Sequence, residues 1–451
     1  MNFLEYFKFL REKYEVSNTE LLNELTISGS EIKKSSLSHK LNGERKITIE
    51  ELEIFILVLQ PSVAEESKLR ELYKIYDFGE VEFEEVKLIK EYIEQFENNV
   101  ILQLEESDID LNNVFEINDE KFLTTVLLKI LSDSWGNGNI EIMCQPEYTR
   151  LIDLLLSLSA KKHSEVKQIV FLNNEYKNDS NIYNIRCLTI LDKLVIKNPM
   201  HKIRYFYDKV NARINELTIF PFFVLSGDKA LLISHNFKTG YLIHDKLFIN
   251  KLSREFNRIF NQANELFRII ANDIEYMQIC SEFEKSAKNM YTLQYHPCIR
   301  FNGDENLTKS CIRDDFDFGE ELLEFFQSSW ENQGRFKGYH FHSSAGVQDF
   351  LEKGITTDMS PMLFNSVEKQ NRELMLKKAK ENKVQSNIEI NDKFINVPLP
   401  LSIVCYDTAV VLISYRNNEG TRLLLNERSL YKSTINFFNY IYKYERVEEG
   451  K

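Results

Sequence analysis

The 451-residue chain carries 43% hydrophobic, 12% aromatic and 28% charged side chains, enough to bury cores in two to four domains. That composition excludes wholesale disorder, collagen-like repeats and low-complexity scaffolds. A net charge of −13 speaks against a protein that coats nucleic acid with its whole surface, although such a sum hides local fields.

Residues 1–60 read as short helices joined by tight turns. Phe3, Phe7, Leu10 and Tyr14 lie at helical spacing, and Ser17-Asn18-Thr19-Glu20 forms a capping box that opens a second helix. A third helix is expected from about Lys34 to Asn42, stopped by Gly43, and Thr48-Ile49-Glu50-Glu51 opens a fourth that Pro61 ends. The local charge reverses here. Between residues 29 and 48, Lys33, Lys34, Lys40, Arg45 and Lys46 face only Glu31 and Glu44.

The string Ser35-Ser36-Leu37-Ser38-His39-Lys40-Leu41-Asn42-Gly43-Glu44-Arg45 resembles the recognition helix of Cro/CI-type helix-turn-helix regulators, with more residues before it than that family usually has. The resemblance implies that Leu37 and Leu41 pack inward. Lys34, Ser35, Ser38 and His39 would then face a major groove, while Lys40, Arg45 and Lys46 hold phosphates and Lys33 and Ser36 flank them. A helical bundle that binds protein is the other reading.

Residues 62–105 are helical and strongly acidic, with Leu69, Leu72, Tyr73, Tyr76, Leu88, Tyr92, Ile93 and Phe96 in an apolar stripe. Such a stripe would either dimerise two chains or dock on the C-terminal part.

From about residue 138 strands alternate with helices. Strands are expected at 140–144, 166–172, 202–207, 222–226, 230–234 and 240–243, and the run from Phe394 to Tyr406 reads as another, buried strand. The region then repeats itself. Pro221 precedes Asp228, and Pro400 precedes Asp407, by the same interval; Ile233-Ser234 precedes Gly240 as Ile413-Ser414 precedes Gly420. Each copy ends in an aromatic helix, carrying Phe256 and Phe260 in one and Phe437, Phe438 and Tyr440 in the other.

These lobes resemble the phospholipase D-like fold, whose active members pair two copies of His-x-Lys-x4-Asp. Here Asp228 and Asp407 fall on the Asp position, and Ser234-His235-Asn236 falls on the following turn. Pro221 and Pro400 replace the His, and Phe223 and Ser402 replace the Lys, so the nucleophile and the phosphate-neutralising cation are missing twice. The resemblance therefore implies non-catalytic sensor lobes with no catalytic residue.

Other chemistry is thin. His244-x-Lys246 is followed by Lys251 where an Asp should stand. His296, Cys298, Cys311, His340 and His342 match no common zinc spacing, and no nucleotide-cradling loop is present, so no cofactor or metal is expected. Ser343 to Gln348, Gly354 to Asp358 and Arg372 could line an inter-lobe cleft. The six cysteines include no Cys-x-x-Cys pair, and the opening residues lack a secretory pattern, which together predict a reduced cytoplasmic protein with no membrane contact.

The expected architecture is α+β multidomain. It comprises an all-α helix-turn-helix head over 1–61, an acidic helical linker over 62–110, and a two-lobed α/β region over 111–270 and 271–451. The expected function is a homodimeric transcriptional regulator that binds a double-stranded DNA operator and senses a small-molecule or peptide effector. The alternatives are a phosphodiesterase or nuclease with a degenerate site, and a DNA-tethered scaffold.

Overall fold

The computed structural model describes residues 1–96, 109–174, 179–208, 219–297, 305–315, 319–332, 336–356, 363–381, 386–399, 401–414 and 421–447. The chain divides into two compact units, Met1–Glu84 and Glu85–Lys451.

Five helices make the first unit: α1 (Phe3–Lys13), α2 (Asn18–Ile27), α3 (Lys34–Leu41), α4 (Ile49–Leu59) and α5 (Val63–Phe78). Four of them open with a full capping box, at Asn2, Ser17, Thr48 and Ser62, so the orphan amides of each first turn are satisfied locally. Gly43 closes α3 at φ +82°, where a Cβ would strike Leu4 at 2.9 Å. The apolar faces converge on Phe3, Phe7, Leu10, Leu25, Leu37, Leu52 and Phe55. Phe7 stacks on Phe55 with centroids 5.1 Å apart.

The first part of the segment expected as an acidic helical linker, α5, packs within the first unit. Leu69 and Tyr73 of α5 are buried in this same core, and the Tyr73 hydroxyl donates to the Ile47 carbonyl at 3.0 Å. Leu72 and Tyr76 of the same apolar stripe pack against that core. The next helix, α6 (Glu80–Gln95), crosses the boundary and buries Val86, Ile89, Tyr92 and Ile93. The expected helical residues 97–105 lie outside the described residues.

The second unit holds two sheets. The first lobe comprises β1 (Glu116–Ile117), α7 (Glu120–Ser134), β2 (Ile140–Met143), α8 (Thr149–Ser159), β3 (Val166–Asn173), α9 (Asp179–Lys197) and β4 (His201–Asp208). It continues with β5 (Phe222–Ser226), β6 (Lys229–Ile233), β7 (Gly240–Ile243), α10 (Lys246–Gln262) and β8 (Asn264–Glu265). Its strand order is β1-β7-β6-β5-β2-β3-β4-β8. The strands β2, β3 and β4 are parallel and need crossover helices, which α8 and α9 supply. The hairpin strands β5, β6 and β7 are antiparallel.

The second lobe comprises β9 (Phe267–Ile270), α11 (Asp273–Ser286), β10 (Met290–Gln294), α12 (Glu305–Cys311), α13 (Gly319–Asn332), β11 (Tyr339–Ser343), α14 (Ser344–Lys353), α15 (Lys369–Glu381) and β12 (Ser386–Ile390). Then follow β13 (Leu401–Tyr406), β14 (Val410–Ser414), β15 (Thr421–Leu425) and α16 (Arg428–Tyr444). The seven-stranded order β12-β11-β10-β13-β14-β15-β9, read from its other end, matches the first lobe's from β1 to β4. Even the last step repeats. After α10 the chain pairs with β4 through β8, and after α16 Arg446 bridges to Ile390 of β12.

Two boundaries move. β9 already belongs to the second sheet, so the lobes divide near residue 266 rather than 270. Residues 394–399 are not strand, because Pro398 has no amide hydrogen to give to a ladder; in this run only Leu401–Tyr406 pairs. The aromatic side chains of the two closing helices are packed inside their lobes. Phe437 and Phe438 are fully buried, with Phe438 stacked on Tyr291 and Phe341, and Phe256 and Phe260 pack within the first lobe's core.

Candidate nucleic-acid interface

Helix α3 has one buried residue, Leu37, and presents Lys34, Ser35, Ser38 and His39 to solvent, with Ser36 half-buried. Positions i, i+1, i+4 and i+5 share one face of a helix, so these four side chains form one stripe. Lys33, at the N-cap, and Arg45, just past Gly43, are also exposed. Lys33, Lys34 and Arg45 have no ion-pair partner among the described residues, which leaves three cations at the stripe's margins.

The other residues of the basic island are engaged inside the unit. Lys40 turns inward and its Nζ donates to both carboxylate oxygens of Glu51 at 2.7 and 2.6 Å, with the two side chains only 14% and 11% exposed. A cation so enclosed does not reach a phosphate, which corrects its expected role. Lys46 donates to the Asp77 carbonyl at 2.7 Å and keeps its stem exposed. His39 Nδ1 lies 2.5 Å from Glu44 Oε2, both exposed. A carboxylate therefore sits beside the stripe that would face DNA.

Sequence reasoning missed Glu44 and Glu51 as partners. Glu51 was legible as a capping residue, and its Oε2 does accept the Thr48 amide at 2.9 Å. Its second role depends on α3 and α4 lying side by side, which no spacing along the chain encodes.

In the lobes, the degenerate positions are occupied by packing. Phe223 is buried against Phe256 of α10, and Ser402 is buried on β13. Pro221 precedes β5, while Pro400, Cys298 and residues 357–358 lie outside the described residues. Asp228 is exposed in the β5–β6 turn and pairs with Lys229 at 2.7 Å, an ion pair that lowers its carboxyl. Asp407 accepts the backbone amides of Lys288 and Asn289, at 2.5 and 3.2 Å, and so anchors the chain entering β10.

His235 is exposed on the turn where Ser234 Oγ donates to Asn236 and accepts the Thr239 amide at 3.1 Å. His244 contacts the Val114 carbonyl at 3.0 Å and the Phe115 ring. His296 pairs with Asp349 at 3.0 Å, yet burial holds its pKa below the usual value. His340 Nδ1 meets Thr292 Oγ1 at 2.8 Å, and Cys311 is buried in an apolar cluster that raises its thiol. Among the described residues no three His, Cys, Asp or Glu converge as metal ligands. Arg372 donates to the carbonyls of Val367, Leu351 and Glu352 at 2.6–2.9 Å, so it holds α14 and α15 together instead of lining a cleft.

Together these features define a small helical unit bearing a cationic helix face and a duplicated α/β unit in which Phe223 and Ser402 are packed side chains. No family model matches the chain, and no curated protein matches it. Among solved structures, it is similar to TrmBL2, an archaeal chromatin protein described as showing a novel mode of DNA binding. That match has 13% identity and a TM-score of 0.23, over 58% of this chain and 99% of that one. It is also similar to a phosphatidylserine synthase of Haemophilus influenzae Rd KW20, with 10% identity and a TM-score of 0.24, over 79% of this chain and 91% of that one. At these TM-scores neither likeness carries an argument for fold or activity. No helix among the described residues is long and apolar enough to cross a membrane.

Proposed function

We propose that the chain is a DNA-binding transcriptional regulator that contacts duplex DNA through α3 and senses an effector or protein partner with its lobes. The observation that carries this reading is the exposed stripe of Lys34, Ser35, Ser38 and His39, flanked by Lys33 and Arg45 with no internal counter-charge. Serine and histidine side chains exchange hydrogen bonds with base edges, and free cations displace counterions from phosphates. One helix of eight residues reads few base pairs, so a homodimer with two such helices is part of the proposal.

The lobes are proposed to be catalytically inert. Phosphoryl transfer needs a nucleophile and a cation on the phosphoryl oxygens; Pro221 and Pro400 offer no nucleophilic atom, and Phe223 and Ser402 no positive charge.

The test is binding of full-length protein to a fluorescent duplex across a salt series. Lys33→Ala/Lys34→Ala/Arg45→Ala is expected to lower affinity and to flatten the log-affinity against log-salt slope by about 0.9 for each phosphate no longer neutralised. Unchanged affinity and slope would remove α3 from the interface.

A further inference from the structure

Glu85 is 3% exposed, and no cation pairs with it among the described residues. Its two carboxylate oxygens are divided between the lobes. Oε1 accepts from Asn181 Nδ2 of α9, in the first lobe, at 3.1 Å, and Oε2 accepts from Asn436 Nδ2 of α16, in the second, at 2.7 Å. A buried carboxylate without a counter-ion is costly, and two neutral amide donors offset only part of that cost. Packing alone would be served as well by a leucine.

The rest of α6 follows the same division. Towards the first lobe, the Tyr92 hydroxyl donates to buried Asp192 of α9. Towards the second, Glu94 Oε1 accepts the Asn396 amide at 3.1 Å, and the Lys90 ammonium stands 5.0 Å from the Phe394 ring centroid. Helix α6 thus bridges α9 and the α16 side over its whole second half. The lobes also meet directly, where Asn184 donates to Ser429 at 2.9 Å and Tyr207 donates to Glu427 at 2.6 Å. The helix that reads this junction begins at Glu80, and its residues up to Glu84 belong to the DNA-contacting unit of the reading above.

We infer that Glu85 is a positioning residue, a two-armed clamp through which a change in the spacing of the two lobes is passed along α6 towards the first unit. A change that separates Asn181 from Asn436 must break one arm, because a single carboxylate cannot follow both donors. The broken arm leaves a buried oxygen without a donor, a penalty large enough to drive α6 to reposition. The lobes and the head would then be coupled through one helix with two arrangements, as a switching mechanism requires. This inference rests on the reading of the first unit as the DNA-contacting part.

The experiment compares amide hydrogen exchange in full-length wild type, Asn181→Ala, Asn436→Ala and Glu85→Gln, with duplex binding measured on the same samples. Each asparagine variant, though confined to one lobe, is expected to speed exchange about ten-fold both in α6 and in the donor helix of the other lobe. Glu85→Gln keeps the volume and one acceptor oxygen, so it should loosen one arm only. Should each substitution change exchange only in its own helix, the clamp is refuted whatever the DNA result. Remote exchange changes in a protein that shows no duplex binding would keep the clamp and discard the DNA reading.

Discussion

Replacing Asp192 by asparagine is expected to change how the stability of the second unit depends on pH. Asp192 is fully enclosed on α9; one oxygen accepts the Tyr92 hydroxyl and the other has no partner. Burial pushes its carboxyl from 3.8 up to about 7, against the opposing hydrogen bond from Tyr92. In the unfolded chain the same group ionises near 4. Between these values the unfolded form has released its proton while the folded form still holds one. Stability is therefore lost as pH rises from about 4 to about 7, and it stays lost above that. Three units at ~1.36 kcal/mol each put the loss near 4 kcal/mol as an order of magnitude. Asparagine cannot ionise, and its carbonyl can still accept the Tyr92 hydroxyl. Urea unfolding at pH 5 and pH 8 reads the difference, and both tryptophans, Trp135 and Trp330, lie in the second unit. Asp192→Asn should gain on the wild type by about 2–3 kcal/mol between the two pH values, because two of the three units lie above pH 5. Parallel pH dependence of the two proteins would refute the reasoning.

Glu51→Ala removes a helix cap and strands the half-buried Lys40 ammonium, so it should cost the first unit about 2–4 kcal/mol, seen as an earlier far-UV circular dichroism transition. Glu44→Gln takes a carboxylate away from His39 and should strengthen duplex binding several-fold at low salt, an effect that fades as salt rises; weaker binding would show that Glu44 orders the stripe. Wild type, His235→Ala and His244→Ala should all leave bis(p-nitrophenyl) phosphate at background with or without divalent metal, and histidine-dependent turnover would revive an enzyme reading.

The local rules carried much of the fold. Hydroxyl-x-x-Glu boxes at Ser17 and Thr48 marked helix starts, and the matching intervals Pro221 to Asp228 and Pro400 to Asp407 marked the duplicated hairpins. Between residues 270 and 395 the pattern faded for a physical reason. Where the first lobe uses one crossover helix, α8 or α9, the described residues of the second hold two helices in each crossover, α12 with α13 and α14 with α15. Its strand β11 also alternates aromatic with histidine, Tyr339-His340-Phe341-His342, which hides a buried strand from any apolar count. The basic island was legible as composition, whereas the diversion of Lys40 to Glu51 and the sharing of Glu85 between Asn181 and Asn436 join residues 11, 96 and 351 positions apart.

Among the described residues every strand pairing of the second unit lies inside one sheet or the other, and each lobe closes its far edge with its own chain, β8 on β4 and Arg446 beside β12. A movement of one lobe against the other would leave the main-chain ladders of both sheets in place. It would act instead on the packing of α9 against α16 and on side-chain hydrogen bonds such as Asn184 to Ser429 and Tyr207 to Glu427. Tearing a sheet would break a whole row of hydrogen bonds at once, so a ligand that changes this protein's shape has its least costly point of leverage between the lobes.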